Sequence, residues 1–192
     1  MGTLTSDVLL AELRARGALL DGHFRLSSGR HSAGFIQKFR LLEDPAFLEL
    51  VVAALLAKMP GIAPDVVVSA AVGGIVLGYE CARQLGTRAI FVEKVDGKAT
   101  FRRGFFVAPG ERVLIVEDVI TTGLSVREVV EVVTDGGGEV VCVGALVQRA
   151  PVDLGARLVP LLELAIESFD PAECAQCTAG LALTEPGSRF LR

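Results

Sequence analysis

The sequence predicts an α/β fold in which a parallel sheet is covered by helices on both faces. Residues 65–69 (DVVVS), 112–116 (RVLIV) and 140–147 (VVCVGALV) are short apolar runs without a polar face, as expected of strands buried on both sides. Helical stretches alternate with them, and strand–helix–strand alternation implies parallel pairing through crossover connections. A length of 192 residues with 51% apolar content supplies one full core, which predicts one domain with trimmings and no extended disorder.

Taken in order, residues 5–16 read as a helix, with Thr5 or Ser6 as its cap and Gly17 as its stop. From 19 to 37, short apolar pieces flank the turn signal Ser27-Ser28-Gly29-Arg30, which predicts a hairpin or hood. Asp44 can cap a second helix and Pro45 suits its first turn; this helix runs through Leu55 and stops before Pro60-Gly61. The buried strand 65–69 leads through a small-residue loop into a helix over 74–85, and 88–92 reads as the next strand. Beyond strand 112–116, a helix over 125–134 ends at Gly136-Gly137-Gly138 and precedes strand 140–147. Sheets of this kind bind ligands at the carboxyl ends of their strands.

Composition narrows the partners. Nineteen Lys and Arg against twenty-three Asp and Glu give a net charge of −4, which disfavours nucleic acid. The most apolar run, residues 50–57, is far short of the ~20 residues that span a bilayer, so no membrane segment is expected. The first residues carry neither a basic region nor a long apolar stretch and do not read as a secretory leader. Four cysteines in a chain with a large core read as reduced thiols, which predicts a cytoplasmic protein. Cys81 and Cys142 sit in apolar runs and read as core. Cys174-Ala175-Gln176-Cys177 has the spacing of half a zinc site, but no second pair or nearby histidine is expected to complete it, because His23 and His31 both fall in the hood.

Residues 112–125 (RVLIVEDVITTGLS) carry the chemistry. A buried strand ends in Glu117-Asp118, and a hydroxyl-rich turn then starts a helix. Thr121, Thr122 and Ser125 offer hydroxyls, Gly123 lets backbone N–H groups approach a ligand, and the helix start adds partial positive charge. That is a phosphate cradle. Two acids beside it suit a longer ligand, with hydroxyls or a metal at the acidic end and phosphate at the turn; a phosphorylated sugar has that shape. No Gly-Lys-Ser/Thr ends the loop and no Gly-x-Gly-x-x-Gly occurs, so neither a Walker A loop nor a dinucleotide fold is indicated.

The stretch resembles the phosphoribosyl-pyrophosphate (PRPP) signature of type I phosphoribosyltransferases: four apolar residues, two acids, two apolar residues, then a Thr/Gly/Ser turn. The wider chain, from about residue 18 onward, is similar to the short-form orotate phosphoribosyltransferase family. Residues 22–32 (GHFRLSSGRHS) resemble that family's hood, and Phe35-Ile36-Gln37 its base-facing strand. The resemblance implies a doubly wound, mostly parallel sheet with a small N-terminal hood. It further implies a single domain over 1–192, with the hood from about 1–40 plus the C-terminal segment and the core from about 41–160.

The implied reaction moves ribose 5-phosphate from PRPP to orotate, with Mg²⁺ as cofactor held mainly by PRPP and not by the protein alone. By resemblance, Glu117, Asp118, Val119, Ile120, Thr121, Thr122, Gly123, Leu124 and Ser125 form the PRPP loop. The two acids hold the ribose hydroxyls and the turn holds the 5′-phosphate. Val72 and Gly73 fall in the pyrophosphate loop. Thr121, Phe35 and Ile36 border the base, and Arg149 stands where the family's arginine meets the orotate carboxylate, a natural bidentate pairing.

Residues 94–103 resemble a shortened catalytic loop that reaches the neighbouring site of a homodimer. Lys94 and Lys98 match its cations, and Arg102 and Arg103 fall on the strand after it. The sequence departs from the best-known orotate enzymes at Val72-Gly73, where they carry Tyr-Lys, and at Ser27, where a lysine is usual. Two alternatives stay open: a purine-base phosphoribosyltransferase, which Arg149 argues against, and a non-catalytic PRPP-sensing regulator, for which no DNA-binding module is present.

Overall fold

The computed structural model describes residues 4–26 and 28–186; Ser27 lies outside the described residues. Helix α1 (Ser6–Ala15) leads into an antiparallel hairpin of β1 (Leu19–Arg25) and β2 (His31–Ile36). After a single turn, α2 (Phe39–Leu42), helix α3 (Pro45–Ala57) is capped by Asp44, whose carboxylate accepts from the N–H groups of Ala46 and Phe47 at 3.1 and 3.2 Å.

The main sheet follows: β3 (Val66–Ala70), α4 (Gly73–Leu85), β4 (Arg88–Val95), β5 (Lys98–Phe101), β6 (Arg112–Ile120), α5 (Leu124–Asp135), β7 (Glu139–Gln148) and β8 (Leu158–Glu163). A short 3₁₀ turn and α6 (Ala175–Thr178) close the described chain. The strand order is β5-β4-β3-β6-β7-β8, parallel throughout except for β5.

Alternation along the central strands explains why they have no polar face. Val67, Leu114 and Val116 pack with α1, α3 and α4, while Val66, Val68, Val113 and Ile115 pack with Val126, Val129 and Val133 of α5. Helices thus cover both faces, so the sheet is doubly wound. The chain runs outward from β3 to β4 and, after returning, outward the other way from β6 to β7 and β8. The switch point lies between β3 and β6, where loops diverge and leave a crevice.

Several expectations need correction. The strand expected to end at Val116 runs on to Ile120, because β7 continues beside it and pairs Glu117 with Ala145, Val119 with Val147 and Ile120 with Gln148. Strand β8 was not anticipated; it contains Pro160, which an edge strand tolerates. Residues 94–103 are not a free loop: β4 extends to Val95 and β5 folds back on it through Asp96-Gly97, both at positive φ, while Arg102 and Arg103 lie past the strand.

The isolation expected for Cys174 and Cys177 is also wrong. The chain returns beneath the hood, His31 pairs with Phe169 and Phe24 with Thr184, and both cysteines arrive beside His23 and His31.

Helix α4 lies unusually close to β3. A Cβ on Gly74 would meet Ser69 Cβ at 3.0 Å, and one on Gly78 would meet Ser69 Oγ at 2.9 Å. These two glycines, one turn apart, set the height of the helix and so the position of the loop at its start. Gly78→Val is therefore expected to lower stability by about 1–3 kcal/mol through overpacking, read as a lower urea midpoint. An unchanged midpoint would show that the helix does not need this contact.

Candidate active site

The carboxyl ends of β3 and β6 bring Val72 and Gly73 beside Glu117, Asp118 and the turn that follows. Glu117 and Asp118 are the last buried polar residues of β6, 8% and 2% exposed. Asp118 accepts a 2.7 Å hydrogen bond from the Val119 N–H, and Glu117 accepts one of 3.1 Å from the Asp118 N–H. The Asp118 carboxylate also meets Lys38 Nζ at 2.8 Å. Lys38 follows β2 directly and was not singled out in the sequence. A lone lysine after a strand carries no local signal; only its contact across the fold reveals it.

Burial pushes the Glu117 carboxyl up to about 8, with the neighbouring Asp118 charge adding to the effect. The acids therefore differ. One is paired with a cation and the other is held largely neutral near pH 7.

After β6, Thr121, Thr122, Leu124 and Ser125 are exposed around Gly123. Gly123 adopts φ 75°, and a Cβ there would lie 2.9 Å from Leu154, so glycine is required on both counts. Arg127 braces the turn by donating to the Thr122 and Asp153 carbonyls at 2.7 and 3.0 Å. The cradle opens onto the N-terminus of the 12-residue α5. A polar recess of about 130 Å³ runs from Lys38 across Glu117 and Asp118, past Val119 and Ile120, to this turn.

Beside it lies a cleft of about 800 Å³, bordered by the hood, the C-terminal segment and the end of β7. Phe35, Ile36, Thr121 and Arg149 all line it, and Lys38, Thr121 and Thr122 border both spaces. Among the described residues, the cleft lining contains four cations (Arg25, Arg30, Lys38 and Arg149) and no acid, so an anion suits it.

Arg149 is held by its backbone N–H to Ile120 O at 2.9 Å and by Nη2 donating to Ile166 O at 3.0 Å. Its Nε is buried without a hydrogen-bond partner among the described residues, and desolvation lowers its pKa from the ordinary arginine value.

The loop after β3 presents exposed Val72 and buried Gly73. A methyl group on Gly73 would collide with the Asp118 carboxylate and come within 2.8 Å of Lys38 Nζ. The missing side chain is thus what admits the ion pair. Lys94 and Lys98 stand apart on the exposed β4–β5 hairpin, and Lys94 Nζ pairs with Glu128 of α5 at 2.8 Å.

Comparison with known proteins agrees with this geometry. Residues 41–151 match the model of the phosphoribosyl transferase domain. The chain is 47% identical to the orotate phosphoribosyltransferase of Pelotomaculum thermopropionicum over 188 residues, covering 97% of this chain and 99% of the relative. It is 46% identical to the orotate phosphoribosyltransferase of Caldicellulosiruptor bescii, with the same coverage. Among solved structures, the orotate phosphoribosyltransferase of Aeropyrum pernix superposes with a TM-score of 0.72 at 31% identity, over 81% of this chain and 93% of that one. A buried acidic pair near the end of β6 and a braced glycine turn at the start of α5 lie beside a cleft rich in cations, and the family model and these relatives place the chain in the orotate phosphoribosyltransferase family of phosphoribosyltransferases.

Proposed function

We propose that the enzyme transfers ribose 5-phosphate from PRPP to orotate, giving orotidine 5′-phosphate and pyrophosphate as a step in pyrimidine synthesis. The observation that carries the substrate is Arg149. A desolvated guanidinium with an Nε unpartnered among the described residues, in a cleft whose charged lining residues are all cations, suits a planar base that bears a carboxylate. Phe35 and Ile36 supply an apolar wall for the ring, and Thr121 stands where the cleft meets the phosphate recess.

In this reading the turn 121–125 binds the 5′-phosphate through backbone N–H groups and hydroxyls, while Glu117 and Asp118 face the ribose hydroxyls. The base nitrogen attacks the anomeric carbon as pyrophosphate leaves, with inversion, so no enzyme nucleophile is needed. The chain acts by positioning and by placing cations where charge builds on the leaving group. Pyrophosphate lies over the Val72-Gly73 loop. Lys38, whose Nζ occupies the space beside Gly73, supplies the cation that the position-73 lysine provides in better-known orotate enzymes.

Mg²⁺ fits the reaction as a companion of PRPP. The hard oxygens nearby are one carboxylate tied to Lys38 and one carboxyl held largely neutral, which do not form a protein cage. When bound, Mg²⁺ neutralises charge on the pyrophosphate. We place Lys94 and Lys98 over the neighbouring site of a homodimer, because both are exposed on the hairpin that forms one edge of the sheet. The whole chain acts as one phosphoribosyltransferase domain. Its four free thiols suit a reducing compartment, so the enzyme is cytoplasmic; no described helix is long and apolar enough to cross a membrane.

The assay that tests this follows PRPP-dependent consumption of orotate against adenine, guanine and uracil, in wild type and Arg149→Ala. Orotate alone should react. The variant should raise the orotate KM, and not the PRPP KM, by about 2–4 kcal/mol, a factor of roughly 30 to 1,000. Consumption of a purine in place of orotate, or an unchanged orotate KM, would overturn the assignment.

Glu117 gives a pH prediction. Its pKa rises from 4.5 to about 8 on folding, so the folded chain binds the extra proton between those values. Stability is then complete below about 4.5 and falls as pH rises towards about 8, by at most ~1.4 kcal/mol per unit. Glu117→Gln should flatten that fall in urea unfolding measured across the window, while weakening PRPP binding. Parallel stability curves for variant and wild type would contradict the buried, proton-binding Glu117.

A further inference from the structure

His23, His31, Cys174 and Cys177 converge at the back of the hood, outside the site described above. Their four ligand atoms lie within 4.8 Å of one another. His23, His31 and Cys174 are 4%, 5% and 1% exposed, and Cys177 closes the cluster from the solvent side. His23 Nε2 stands 3.1 Å from His31 Nδ1, 3.4 Å from Cys174 Sγ and 3.6 Å from Cys177 Sγ, and Cys177 Sγ is 3.2 Å from His31 Nδ1.

Hydrogen bonding alone does not explain this crowding. The His23 Nδ1 proton points to the Leu181 carbonyl at 3.0 Å, which leaves Nε2 as a bare lone pair facing the cluster. Three groups then compete for one acceptor. A cation at the centre turns all four into ligands at once. A tetrahedron with Zn–N near 2.0–2.1 Å and Zn–S near 2.3 Å has edges of about 3.3 Å between nitrogens and about 3.6 Å between nitrogen and sulfur. The four separations observed fall within a few tenths of an ångström of these lengths. The Leu181 carbonyl is the outer partner that a metal-bound imidazole ordinarily has, fixing its tautomer and ring plane.

We propose that these four residues bind one structural Zn²⁺. Two thiolates and two imidazoles are a soft donor set that selects zinc over magnesium, and four protein ligands leave no open position for catalysis. The metal joins segments 151 residues apart in sequence. His23 and His31 sit on the hood hairpin, and Cys174 and Cys177 on the returning C-terminal segment. Both segments wall the large cleft, through Arg25 and Arg30 on one side and Ile166 and Ser168 on the other. Zinc is therefore the clasp that holds the two walls at a fixed distance, whatever base the cleft accepts.

The test uses the full chain purified under reducing conditions without chelator. Elemental analysis should find one zinc per chain. Exchange with Co²⁺ should give the thiolate-to-metal charge-transfer and intense d–d bands of a tetrahedral two-sulfur, two-nitrogen site. A strong chelator should lower the melting temperature, with zinc restoring it, and Cys174→Ser/Cys177→Ser should hold no zinc. Should that double variant fail to fold, the cobalt spectrum of the wild type decides the matter. The proposal is overturned if the folded wild type neither contains zinc nor takes up Zn²⁺ or Co²⁺, if Cys174 and Cys177 are recovered as a disulfide, or if the folded double variant keeps its zinc.

Discussion

Asp118 lies two residues before the end of a strand that is buried on both faces, and a carboxylate buried there needs a cation or a dense set of donors beside it. Lys38 is that cation, and it comes from the end of the hood and not from the sheet. The contact therefore ties two parts of the chain, 80 residues apart, at the point where the large cleft and the polar recess meet. Gly73 makes the pairing possible by having no side chain in the space the two charges share. Strand, hood and helix start each contribute one element of a single site.

The sheet makes this contact dependable. Parallel strands with apolar residues on both faces hold β3 and β6 in one register, Ser69 beside Val116, so the two loops leave the sheet side by side. Gly74 and Gly78 let α4 settle onto Ser69, which fixes the Val72-Gly73 loop against Asp118. On the other face Arg127 and Gly123 set the cradle. The hood leans on the returning chain through the His31–Phe169 pairing and the His/Cys cluster.

The sequence was most legible where local pattern and chemistry coincide. The runs 65–69 and 112–116 announce buried parallel strands, and residues 117–125 announce two acids followed by a hydroxyl-rich turn at a helix start; the strands lie side by side, with the acids near the end of β6 and the turn just after it. That Arg149 faces the large cleft was suggested only by family resemblance, since one arginine after a strand has no local signature. Lys38 was illegible because its meaning lies in a contact 80 residues away. The same holds for His23 and His31, which read as hood residues until the C-terminal segment folds back and sets Cys174 and Cys177 against them. Strand β8 escaped because Pro160 argues against a strand unless its edge position is known.

The coupling of Lys38 to Asp118 is most directly measured by a double-mutant cycle on PRPP binding, using calorimetry on wild type, Lys38→Met, Asp118→Asn and the double variant. If the pair forms one unit at the junction of cleft and recess, the two losses overlap, and the coupling energy reaches about 1–3 kcal/mol. Losses that add to within about 0.3–0.5 kcal/mol would mean that the two residues act independently, and that the hood and the sheet do not share one site through them.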